Sequence, residues 1–355
     1  NNKFNLSKVD AKMENGLSNS RTSHIIFSGK SGEYFKLWFV NMFLSIITLG
    51  IYSAWAKVRN TQYFYGHTQV DGQSFRFLAT PMQILKGRIA AVIIFVLYML
   101  LSQINPLIGL VLALVLLVAT PWLIIQGLKF SMRMTAYRNV RFSFEGTYGG
   151  VIVHFLLLPI IGLITFYLAM PWVIQQIQQY INNNITYGGQ HFEQNSSASQ
   201  YYIAVLISLG VVLLGGAFIA AFSGMSLAAE AEPSMASALP IFACFILFFI
   251  AAAIYQSFIY NHLMQTLEIN NVVSFNAMMK PVPFLILMLT NFLLLILTLG
   301  LAIPVVKIRN ARYIASVTEV TIKPGINDLI NTIEGSDSAF GEEAAGLFDT
   351  DLSFV

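Results

Sequence analysis

Two pairs of basic residues share one spacing, Lys57 with Arg59 and Lys307 with Arg309. Each pair ends a long apolar run. Cations placed there can hold the phosphate of anionic lipid or an anionic solute at the inner face. They can equally be anchors whose aliphatic stems snorkel to the interface. A second set is polar residues within or at the ends of such runs: Asn41 and Asn291 in mid-run, Gln126, Gln175 and Gln176 near run ends, and His154 and His262. Polar groups in hydrocarbon are expensive and mark solute or proton paths, and histidine titrates near neutral pH. The same residue types also tie helices together by hydrogen bonds. A third set is Thr48-Leu49-Gly50 and Thr298-Leu299-Gly300. A helix broken there frees backbone groups that transporters use for ligands. Glycine is also common in ordinary membrane helices.

Catalytic signatures are missing. The chain has no glycine-rich phosphate loop, no HExxH and no GxSxG. Acidic residues avoid the apolar runs, so no carboxylate pair is poised for acid–base work. The expectation is a protein that is not an enzyme and has no cofactor. Cys244 is the only cysteine and no Cys/His ligand spacing exists, so no metal site is expected. A formal charge of +3 gives no reason to expect nucleic acid.

The elements that must position these residues follow from composition. Hydrophobic residues make up 56% and charged residues 10%, with a mean hydropathy of +0.67. Soluble chains carry about 25% charged residues, so lipid is the expected solvent. Seven apolar segments lie near 34–56, 82–101, 106–128, 150–174, 201–222, 239–260 and 283–306. Each has roughly the 20 residues that a spanning helix needs. Trp55, Trp122 and Trp172 sit at segment ends, as interfacial aromatics do. The expected fold is an all-α polytopic membrane protein of about seven transmembrane helices, with internal repeats and short cytoplasmic or interfacial β-hairpins. Residues 1–22 read as a flexible polar tail, 23–322 as the membrane domain and 323–355 as an acidic tail. Small residues Gly210, Gly215, Gly216 and Ala217 fit a close helix contact, within the chain or between copies in a homo-oligomer.

Basic residues bunch after the first segment (Lys57, Arg59, Arg76, Lys86, Arg88) and after the third (Lys129, Arg133, Arg138, Arg141). The link Ser102–Pro106 has none. The positive-inside rule then places both bunches, and the C-terminus after Lys307, Arg309 and Arg312, in the cytoplasm.

Self-comparison shows a repeated unit. An offset of 250 aligns Asn41/Asn291, Thr48/Thr298, Gly50/Gly300, Lys57/Lys307, Arg59/Arg309 and Tyr63/Tyr313 without a gap. An offset of 117 aligns Thr48/Thr165, Trp55/Trp172, Tyr63/Tyr180 and Phe75/Phe192. Phe275 closes a weaker copy. Asp71-Gly72 and Gly188-Gly189 are two-residue hairpin signals, because both dipeptides tolerate positive φ. Like hairpins share one face only if an even number of crossings separates them. Segments one, four and seven are therefore re-entrant at Thr48-Leu49-Gly50, Pro159 and Thr298-Leu299-Gly300, or the repeats are inverted. The lack of Lys and Arg in 181–199 favours inversion and seven true spans.

The stretch Phe27-Ser28-Gly29 through Gly32-Glu33-Tyr34-Phe35, and then Thr48-Leu49-Gly50-Ile51-Tyr52-Ser53-Ala54-Trp55-Ala56-Lys57-Val58-Arg59, resembles the YjgN-type family of bacterial inner-membrane proteins. Gly341-Glu342-Glu343 and Asp349-Thr350-Asp351-Leu352 resemble that family's C-terminus. The resemblance implies a multi-pass inner-membrane protein and no particular chemistry. The residues themselves favour a transporter or channel-like protein for a small solute or lipid, touching anionic lipid at the inner face. The alternative is a membrane scaffold that recruits partners through its hairpins and acidic tail.

Overall fold

Helix starts follow local chemistry. Proline, which needs no amide partner at a helix start, opens the helices at Pro81, Pro106 and Pro281. Thr80 N–H donates to the Gln83 Oε1 at 3.0 Å, and Asn105 Oδ1 accepts from Leu107 N–H at 2.9 Å. The structure, a computed structural model, describes residues 20–227, 235–270 and 272–323. The expected flexible tail and acidic tail lie outside these residues, except that Arg21 and Thr22 belong to a strand and Lys323 follows one.

Ten helices form five antiparallel helical hairpins among the described residues: α1 (Ser31–Ile47) with α2 (Ser53–His67), α3 (Pro81–Ile104) with α4 (Pro106–Arg133), α5 (Tyr148–Ile164) with α6 (Met170–Asn183), α7 (Ala198–Leu227) with α8 (Met235–Gln265), and α9 (Pro281–Leu297) with α10 (Ile303–Val317). Helix α5 carries a π turn at Val153–Leu157. Each helical hairpin packs on the next, and α10 packs on α1, so the helices close into a ring. Arg312 of α10 donates to the Gly29 carbonyl at 3.1 Å across that closure.

The strands are β1 (Arg21–His24), β2 (Ile26–Phe27), β3 (Thr68–Val70), β4 (Gln73–Phe77), β5 (Thr135–Tyr137), β6 (Val140–Phe144), β7 (Ile185–Tyr187), β8 (Gln190–Gln194), β9 (Leu267–Ile269), β10 (Val273–Ala277) and β11 (Thr318–Ile322). They form one antiparallel sheet running from β1 through β11, then down in order from β10 to β2. Only Ile25 separates β1 from β2. The segment 21–27 therefore pairs with β11 through its first half and β3 through its second, and it closes the sheet into a ring. A closed ring has no unpaired edge to attract a stray strand.

Two expectations are overturned. The protein is not all-α, because the hairpins join into this eleven-stranded sheet. It does not have about seven spans either. Among the described residues four helices, α3, α4, α7 and α8, are long and apolar enough to cross a bilayer. The 17 residues of α1 and of α9 reach only about 26 Å at 1.5 Å per residue, short of the roughly 30 Å hydrocarbon core. Arg88 on α3 hydrogen-bonds Ser53, so the α1–α2 tip lies beside the early turns of α3. Helix α3 continues on to Ile104.

The reversal of the chain between the paired helices follows from one device used three times. Thr48, Thr165 and Thr298 each end a helix. Each hydroxyl donates to the carbonyl four residues back, at 2.8, 2.9 and 2.7 Å. Each then accepts the N–H four residues ahead, at 2.9, 3.1 and 3.0 Å. The next two residues take positive φ: Leu49 and Gly50, Phe166 and Tyr167, Leu299 and Gly300. The chain reverses there. In the fourth segment the break falls at Thr165, not at Pro159, which sits in the first turn after the π turn. Every helical hairpin leaves the strand ring and returns to it, so all the β-hairpins share one end of the helix ring and no inverted repeat is needed.

Candidate functional site: the strand-ring cavity

Alternation along the strands aims one residue in two at the ring axis. The middle residues of β4, β6, β8 and β10 are Phe75, Phe142, Phe192 and Phe275, and that of β11 is Val320. Across the joins between hairpins, Phe75 pairs with Tyr137, Phe142 with Tyr187, Phe192 with Ile269 and Phe275 with Val320. Successive rings lie 4.9 to 6.4 Å apart and make an aromatic collar. About eight strands give a barrel just filled by its own side chains. This wider ring keeps a cavity of about 330 Å³. Tyr260 and Met264 of α8 line it together with the collar, Val70, Ile322 and Arg138.

Most polar atoms facing the cavity are committed within the protein. The Tyr137 hydroxyl donates to the Val70 carbonyl at 2.7 Å, and the Tyr187 hydroxyl to the Tyr137 carbonyl at 3.0 Å. Tyr260 and Thr318 share a hydrogen bond at 2.7 Å. Burial pushes the Tyr137 phenol above its ordinary value, and the Arg138 guanidinium beside it pulls the other way. That guanidinium sits 5.6 Å from the Tyr137 ring centre. Arg138 pairs with Asp71 at 2.6 Å, and Arg21 pairs with the same carboxylate oxygen. Arg138 Nε is buried and has no hydrogen-bond partner.

The residues singled out from the sequence lie elsewhere. Asn41 donates to Asn60 at 3.2 Å and Asn291 to Asn310 at 2.8 Å, so each ties together its own helical hairpin. Lys57, Arg59 and Lys307 are exposed; Arg59 lies 5.8 Å from the Tyr52 ring centre. Arg309 is half-buried and donates to Thr290 Oγ1 at 2.7 Å. Gln126 is exposed on α4. Gln176 donates to Gln175, which donates to the Ser196 carbonyl at 2.9 Å. The His154 ring stacks on Tyr180 and its Nδ1 lies 2.8 Å from the Gly150 carbonyl. His262 Nε2 accepts from Ser197 N–H at 3.0 Å, beside a second hollow of about 300 Å³. Thr48, Gly50, Thr298 and Gly300 build the reversals and bind no cavity group. What the sequence reading missed is Arg138. Its signal was a non-glycine dipeptide, Arg138-Asn139, at a two-residue turn between strands with alternating Tyr and Phe.

A family described as a bacterial protein of unknown function (DUF898) matches residues 22–347. The chain belongs to this family. It is similar to the inner membrane protein YjgN of Salmonella typhimurium, 25% identical over 86% of this chain and 91% of that one. The YjgN proteins of Escherichia coli O157:H7 and strain K12 are 32% and 37% identical, over 54% and 34% of this chain and 44% and 30% of theirs. No solved structure matches. This family member is thus an inner-membrane protein, in keeping with the four span-length apolar helices among its described residues.

Proposed function

We propose that this protein handles a lipid or another amphiphile, taking its apolar part into the strand-ring cavity. The observation that carries this reading is the lining of the cavity: aromatic and aliphatic side chains, with the polar groups other than Arg138 engaged inside the protein. Such a lining offers a hydrated solute nothing in exchange for its water. Each of the twin asparagines donates within its own hairpin, and its buried Oδ1 has no partner. Transport, on this reading, is transfer of an amphiphile between the bilayer and the ring. The basic residues of the strand ends and turns, such as Arg76, Arg138 and Arg141, support placing the ring in the cytoplasm. The C-terminus, which leaves from β11, is then cytoplasmic too. Exposed Lys57, Arg59 and Lys307 are the proposed contacts for anionic head groups.

The equal hydrogen bonds at Thr48, Thr165 and Thr298 support an internal repeat of helical hairpin plus strand hairpin. A scaffold role has less support. The closed ring offers no strand edge for a partner to extend.

The test is saturable binding of a fluorescent fatty-acid analogue to the full chain in nanodiscs. Val273→Trp, which fills the cavity, should abolish it. Equal binding by the filled variant, or no saturable binding by the wild type, overturns the reading.

A further inference from the structure

The open end of the ring carries the strand turns, and one of them is built against local preference. Asp71-Gly72 and Gly188-Gly189 place residues that tolerate positive φ where the turn demands it. The equivalent turn between β5 and β6 uses Arg138, at φ 48°, followed by Asn139. An arginine in the left-handed region costs about 1–2 kcal/mol. Strain of this kind persists where surrounding structure over-determines it, and it clusters at ligand clamps. The conformation makes a turn residue a lining residue of the cavity, with its side chain only 22% exposed.

Charge sharpens the assignment. Arg138 and Arg21 converge on one carboxylate, that of Asp71, so the cluster keeps one net positive charge. Arg138 Nε, buried and without a partner, is an unused donor. Arg138 stands at the turn end of the cavity, while Tyr260 and Met264 come from α8, on the helix side. The volume of about 330 Å³ is at the lower end of the roughly 300–1,000 Å³ of small-molecule pockets, enough for one slender chain.

We propose that the strand ring binds a single-chain anionic amphiphile, its head group on Arg138 beside Asp71 and its hydrocarbon chain along the aromatic collar. This rests on the amphiphile reading above and names the ligand class. A guanidinium fork suits both a carboxylate and a phosphate. A free fatty acid and a monoacyl phospholipid are therefore the two sources of that chemistry.

The experiment displaces the fluorescent fatty-acid analogue from the full chain in phosphatidylcholine nanodiscs, using dodecanoate, dodecyl phosphate and dodecanol. At least one anion should compete about tenfold better than the alcohol. The better of the two anions identifies the source. Arg138→Gln should weaken the preferred anion about tenfold and leave dodecanol unchanged, with Arg138→Lys between the two. Asp71→Asn should tighten the anion, because it removes the competing carboxylate while asparagine still accepts a left-handed turn. That gain runs opposite to any loss from misfolding. The head-group assignment is overturned if dodecanol competes as well as both anions, if Arg138→Gln weakens all three alike, or if Asp71→Asn weakens the anions. Each of those results leaves the amphiphile reading standing. Failure of the analogue itself to bind overturns both.

Discussion

The Tyr63 hydroxyl lies 3.0 Å from the carbonyl oxygen of Lys30 and 2.9 Å from its amide nitrogen, 33 residues earlier in the chain. It clamps the last turns of α2 to the start of α1. Tyr180 reaches the Thr147 carbonyl at 3.0 Å, and Tyr313 reaches that of Lys280 at 3.4 Å, each again across 33 residues. Removing one such hydroxyl costs about 0.5–1.5 kcal/mol. Tyr63→Phe should destabilise most, since it removes two bonds and strands the Lys30 amide, and Tyr313→Phe least, since its bond is longest. Unfolding of the three variants in one detergent, followed by circular dichroism, checks the order.

The reversals predict substitutions of opposite sign. Gly50 has φ 94°, and a Cβ there costs about 1 kcal/mol relative to glycine although it meets no neighbour. Gly50→Ala should therefore lower stability. Tyr167 occupies the matching position at φ 66°, where a bulky residue is strained, so Tyr167→Gly should raise it by a similar amount. Unfolding curves of both variants in the same lipid decide the signs. A gain from Gly50→Ala would contradict the left-handed turn.

Sidedness is checked with single cysteines in a Cys244→Ser background. Positions 139 and 188, in strand turns, should be labelled from one face of the membrane. Position 105, at the α3–α4 tip, should be labelled from the other. Labelling of 139 and 188 from opposite faces would contradict the shared face of the hairpins.

Tyr137 sets an alkaline limit. Its phenol titrates above the ordinary value near 10 because it is buried, so the folded state holds the proton more tightly than the unfolded chain. The resulting stability is complete below pH 10 and is lost as pH rises through the folded-state value. Tyr137→Phe should flatten this alkaline loss, as well as lowering stability at neutral pH through loss of the bond to Val70. Chemical denaturation at several alkaline pH values separates the two effects.

Much of the local structure was legible in residue order. The breaks at Thr48 and Thr298, the Asp71-Gly72 and Gly188-Gly189 turns and the phenylalanines that close each hairpin are local features, set by φ preferences and side-chain reach, whereas the break expected at Pro159 falls at Thr165. The offsets of 250 and 117 found the residues that make equal bonds. Hydropathy alone could not separate a helix that crosses from one that turns back, because both present the same apolar residues to lipid.

Tertiary structure decided the rest. Pairing of hairpins far apart in sequence, Phe142 with Tyr187 or Phe275 with Val320, turned short strands that are marginal alone into a closed ring. Only that closure creates an interior, and only an interior separates Arg138 from a row of interfacial cations. Its role depends on which side chains surround it, and those come from every part of the chain. The sequence by itself determined a membrane chain with basic run ends and two-residue hairpin turns. The fold moved the candidate site from those basic ends to the ring axis, because a cavity is a property of closure and not of spacing.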